Sequence, residues 1–122
     1  MPWVPATGRG SVSGTKPAMQ VTVERELAQG RLVAILFWNP IAPVDQQAHQ
    51  ELQAARQQLG GKVVLHVART SQLASFGSLL RAAPVNETPT ILLVNKRGQT
   101  RSVTGFTDVY SIEQAIIEAS RA

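Results

Sequence analysis

At 122 residues, with 43% apolar residues, 16% charged residues and a net charge of +4, the chain fits one soluble globular domain with a single core. No apolar run approaches the roughly 18 residues that a membrane-spanning helix needs. With no cysteine, the chain has no disulfide, no thiolate nucleophile and no Cys-ligated metal. The surplus of cations bears on association with acidic partners rather than on fold.

Residues 1–20 are rich in Gly, Pro, Ser and Thr and read as a flexible N-terminal arm. Docking of Trp3 and Val4 on the body is the alternative. No cationic start is followed by an apolar stretch, so a secretory leader is not expected. The cytoplasm is the default compartment; a soluble domain cut from a membrane-anchored parent is the other. Residues 21–122 read as one domain. Residues 21–29 suggest a short helix that Gly30 stops. Residues 32–38, Leu-Val-Ala-Ile-Leu-Phe-Trp, are unbroken apolar, as in a strand buried on both faces. Asp45 is a good N-cap for the next helix. In that helix Ala48, Leu52, Ala55 and Leu59 recur at helical spacing, and Gln46, Gln50, Gln53 and Gln57 fall on the other face. Gly60-Gly61 ends it.

Residues 62–68 read as a second strand, and Ser71 caps a third helix running to about Arg81. Ala83-Pro84 breaks that helix. Residues 90–94 form a third strand, residues 95–99 a hairpin turn and residues 100–104 a fourth strand. Asp108 starts the last helix, with Ile112, Ile116 and Ala119 facing inward. Strands separated by helices are expected to be parallel neighbours with right-handed crossovers, and the two strands of the hairpin antiparallel. The expected product is a mixed four-stranded sheet with helices on both faces.

Phe37-Trp38 at the end of the first strand, the turn Asn39-Pro40-Ile41-Ala42-Pro43-Val44, the later Thr88-Pro89-Thr90 and the pair Gly105-Phe106 together resemble the thioredoxin superfamily. The resemblance covers residue 21 to the C-terminus. It implies a thioredoxin-like three-layer α/β sandwich and a cis Thr88–Pro89 bond; an ordinary trans proline opening a strand is the alternative. It also implies a shallow groove for an extended peptide, formed by Trp38, Pro40, Ile41, Ala42, Pro43, Thr88, Pro89, Gly105 and Phe106. In the superfamily that turn carries the Cys-x-x-Cys pair. Here either Ile41-Ala42-Pro43-Val44 takes its place, or Ala42 and Asp45 fall at the cysteine positions. Neither alignment supplies a sulfur, a Ser or a Thr at those positions, and thiol–disulfide exchange needs a thiolate. Leu36 stands where many thioredoxins have a buried Asp. A buried carboxylate is costly without a task, so an apolar residue there fits a site given over to packing.

Other chemistry finds less support. His49 is placed on the polar side of the second helix and His66, half-buried, in the second strand, with no partner at ligand spacing, so no metal site is expected. The Asp45/His49 spacing suits a cap beside a surface His. Ser71, Ser75 and Ser78 lack a nucleophile elbow, and no phosphate-binding glycine loop occurs. Lys96, Arg97 and Arg101 read as a solvated hairpin rather than a nucleic-acid site, because stacking aromatics are scarce. The expected function is redox-inactive binding of a protein or peptide in the groove, with no cofactor. The alternatives are a redox helper or scaffold whose partner supplies the thiols, and a binder of anionic surfaces.

Overall fold

The computed structural model describes residues 16–81, 83–105 and 108–121. The first helix, α1 (Ala18–Ala28), places Met19, Val23 and Leu27 four residues apart on one inward stripe. Its start corrects part of the expected arm: residues 18–20 are helical and Gln20 is buried. Residues 1–15 lie outside the described residues. Gly30, with φ of 80°, ends the helix in a conformation that disfavours side chains.

Four strands follow: β1 (Leu32–Phe37), β2 (Val63–Ala68), β3 (Thr90–Val94) and β4 (Thr100–Thr104). They form one mixed sheet in the order β2-β1-β3-β4. β1 and β3 are central and wholly buried, which is why they read as continuous apolar runs. α2 (Pro43–Leu59) and α3 (Val109–Arg121) cover one face. There Leu32, Ala34 and Leu36 of β1 and Ile91 and Leu93 of β3 meet Leu52, Ala55, Ile112 and Ile116. Val33, Ile35 and Phe37 of β1 and Leu92 and Val94 of β3 point the other way, into α1 and the 3₁₀ segment Thr70–Leu80. The result is three layers. No described helix is long and apolar enough to cross a membrane.

β1 and β2 are parallel, but β3 runs antiparallel to β1, with Phe37 opposite Thr90 and Val33 opposite Val94. The expectation that all helix-separated strands run parallel is corrected here. Among its described residues the link from β2 to β3 carries no α-helix to return the chain to the opposite end of the sheet, so β3 is entered at the end where β2 is left.

That link is the other correction. The helix expected from Ser71 to Arg81 is a 3₁₀ segment interrupted at Gly77, whose φ of 54° and ψ of −127° lie outside any helix. A Cβ at Gly77 would collide with Gln20 Oε1 and lie 3.0 Å from Pro17 Cγ. Gln20 explains the close approach. Its Nε2 donates to Ser78 Oγ (2.9 Å), and its Oε1 accepts the Ser78 N–H (3.2 Å). The buried amide thus ties α1 to the 3₁₀ segment, while Phe76 stacks edge-on against Phe37 at 5.0 Å.

At the opposite end of the sheet Asn95 is buried and fully engaged. Its Nδ2 donates to Gln99 Oε1 and to the Ala119 carbonyl, and its Oδ1 accepts the N–H groups of Arg97 and Gln99. One side chain closes the hairpin and fastens it to the last turn of α3. The first turn of α3 is capped by Asp108, whose Oδ1 accepts the Ser111 N–H at 2.7 Å.

Candidate functional site

Register gathers the loops of interest at one end of the sheet. Ala68, Phe37, Thr90 and Thr104 stand side by side across all four strands. The segments that follow β1, β2 and β4 and the one that precedes β3 therefore emerge together. The Trp38 N–H donates to the Ala68 carbonyl (3.0 Å), extending the β1–β2 ladder to the edge of the turn.

The turn after Trp38 is tied from within. Asn39 Oδ1 accepts the Ile41 N–H (3.3 Å), the Asn39 carbonyl accepts the Ala42 N–H (3.0 Å), and Gln46 Nε2 donates to the Pro40 carbonyl (2.8 Å). Asp45 Oδ2 accepts the Asn39 N–H at 2.8 Å from a position 1% exposed. Asp45 is not the N-cap expected from sequence. Pro43 opens α2 at its first position, where a missing N–H costs nothing, and Ala42 is the cap residue. That places Asp45 in the first turn, where the helix dipole favours a carboxylate. Held this way, the turn carries Ile41 outward at 83% exposure.

Opposite the turn lies Thr88. The Thr88–Pro89 peptide is cis. Pro89 itself is buried, and its carbonyl accepts the Gly105 N–H at 2.9 Å. Thr90 Oγ1 donates to the Glu87 carbonyl (2.7 Å), which fixes the segment just before the strand. Among the described residues, neither the N–H nor the carbonyl of Thr88 has a hydrogen-bond partner.

A groove of about 490 Å³ runs between these parts. Of the residues named from sequence, Trp38, Pro40, Ile41 and Thr88 line it. Ala42 and Pro43 start α2 and are not on its wall; Pro89 and Gly105 pair behind Thr88. Phe106 lies outside the described residues. Asn39, Arg69, Thr70 and Ser71 also line the groove and were missed. The signal for the last three was topological: loops at the carboxyl ends of adjacent parallel strands share a crevice. A second cavity of about 500 Å³ opens at the far end of the sheet, so volume alone does not single out the groove.

His49 is corrected as well. It is not free in solvent: its ring lies 4.6 Å from that of Trp38 at a tilt of 36°, and it bonds Gln53. His66 meets an acid that spacing did not reveal, Glu26 of α1, at 2.7 Å. Among the described residues no three His, Asp or Glu side chains converge as a metal site would require.

No family model and no curated protein matches the chain. Solved structures do. Trxlp from Edwardsiella tarda superposes with a TM-score of 0.65 at 19% identity, over 84% of this chain and 98% of that one. Chloroplastic thioredoxin z gives 0.62 at 15% identity, over 84% and 90%. The germline-specific thioredoxin Deadhead from Drosophila melanogaster gives 0.59 at 15% identity, over 86% and 97%. The chain has the thioredoxin-like fold.

At this level of identity the likeness is one of fold alone. This thioredoxin-like chain has no thiol to contribute to exchange chemistry. What its groove offers is a hydrogen-bonded turn, a partly buried Trp38 braced by His49, an exposed Ile41 and a Thr88 backbone without a partner among the described residues.

Proposed function

We propose that this thioredoxin-like domain is redox-inactive, carries no catalytic function of its own and binds an extended segment of a protein or peptide in the groove between residues 38–41 and Thr88. The observation that carries this reading is that, among the described residues, the Thr88 backbone has no hydrogen-bond partner and shares a groove with Trp38, Pro40 and Ile41. An open strand-like edge is a template for main-chain pairing, and adjacent apolar surface adds affinity. Ile41 is the contact residue on the turn, and Trp38 the floor. The absence of cysteine favours binding over exchange. Pairing through backbone groups needs no sulfur, so losing the redox pair leaves this recognition mode intact.

The reading is tested by panning the full chain against a peptide library and measuring the selected peptides by fluorescence anisotropy. Thr88→Pro removes the N–H and is expected to weaken binding about tenfold, the worth of one main-chain bond at a desolvated edge. Ile41→Asp, at a site too exposed to affect folding, is expected to do the same. Peptides held equally well by both variants would place the binding surface elsewhere.

A further inference from the structure

The cavity at the far end of the sheet has a different character from the groove. Its floor is apolar, made by Leu59 at the end of α2, Val63 at the start of β2, and Ile116 and Ile117 of α3. Its rim carries Lys62 and Lys96, both exposed and, among the described residues, without an ion pair or side-chain hydrogen bond. Arg31, Arg97 and Arg121 stand in the adjoining turns and helix end, again outside any ion pair among the described residues. The acids nearest this end in sequence are occupied: Glu26 by His66, and Glu118 by Arg101. Cations after helix C-termini are favoured by the helix dipole, which accounts for part of the charge. It does not account for a cavity of about 500 Å³ in which Leu59, Val63, Ile116 and Ile117 lie beside the two lysines.

We propose that this cavity is a second binding site, independent of the groove, for an anionic amphiphile: a single hydrocarbon body on the floor and a carboxylate or phosphate head between Lys62 and Lys96. The volume is within the range of small-ligand pockets, and an apolar interior with a few placed charges is their usual chemistry. Free fatty acids and membrane lipids share that chemistry.

Methyl NMR of the full chain titrated with sodium decanoate tests the site. Saturable shifts are expected at Leu59, Val63, Ile116 and Ile117, and none at Ile41. The double variant Lys62→Ala/Lys96→Ala is expected to bind about tenfold more weakly, as two solvent-screened charge contacts allow. Both lysines are exposed, so the variant retains the fold. Flotation with phosphatidylglycerol vesicles separates the sources: decanoate binding with lysine-dependent flotation indicates a bilayer lipid, and decanoate binding without flotation a free amphiphile. Unmoved methyls at saturating decanoate overturn the proposal, as does equally tight binding of decyltrimethylammonium. So does a response to oligoglutamate at the lysines alone, which would mark a plain basic surface.

Discussion

Gly77 is the residue whose identity the backbone most strictly demands. Its φ of 54° is strained for any side chain, and a Cβ would strike the Gln20 amide. Gly77→Ala is expected to lower stability by about 2 kcal/mol or more, read as a drop in the urea midpoint with the slope unchanged. Part of that loss comes from the clash, so Gln20→Ala, although costly alone, should make the two changes less than additive. Asp108 makes a prediction in pH. The Ser111 backbone N–H, and after it the Ser111 side chain, hold its carboxyl below the ordinary aspartate value. The unfolded chain therefore takes up the proton first, and the cap stabilises the fold above the unfolded value and stops doing so as pH falls through the folded one. The thermal midpoints of wild type and Asp108→Ala should differ near neutrality and converge below about pH 4. The sequence points to Asp108 as a cap because its partner is three residues away. It misplaces Asp45, because Pro43 starts α2 sooner and because the bond to Asn39 depends on how the turn folds back.

At the scale of elements, local pattern and tertiary packing divide the outcome. β3 and β4 have the expected bounds, since Ile91–Val94 is uniformly apolar and the Asn-Lys-Arg-Gly-Gln turn separates β3 from its partner. The inward face of α2 also follows its 3.6-residue period. The 3₁₀ segment Thr70–Leu80 departs most from its local pattern. Its apolar spacing suits a helix, and only Gly77 hints at the break. Leu36 tests the reading of the central strand. It is fully buried between the helical layer and the sheet neighbours. Leu36→Asp, with no cation or thiol to engage, is expected to cost about 3–5 kcal/mol, enough to unfold much of a marginally stable domain; far-UV circular dichroism and urea titration would report it.

For the molecule as a whole, the two ends of one sheet hold two unlike surfaces. The loops at the Phe37 end build a groove with an unpaired backbone edge, and the turns at the Leu32 end build an apolar cavity under lysines. Independent sites should respond independently. Thr88→Pro is expected to leave decanoate titrations unchanged, and Lys62→Ala/Lys96→Ala to leave peptide affinities unchanged, because each change is confined to its own end. Of the residues lining the groove, Trp38, Pro40, Ile41 and Thr88 could be named from the order of aromatic, proline and threonine along the chain, and Asn39 could not. Nor was the share contributed by residues 69–71 legible, since nothing in their own chemistry distinguishes them from any exposed loop.

By itself the amino-acid order determined the absence of thiol chemistry, the two-sided burial of the central strands and most element boundaries. Those properties depend on composition and on contacts a few residues apart. Only the tertiary structure decided that β3 runs against β1, that Asp45 supports the turn instead of capping its helix, and that Glu26 meets His66. The first reverses a direction, the second depends on how the turn after Trp38 folds back on its helix, and the third joins residues forty apart along the chain. Such pairings are set by which surfaces the assembled layers bring together, and a periodicity within one segment carries no information about them.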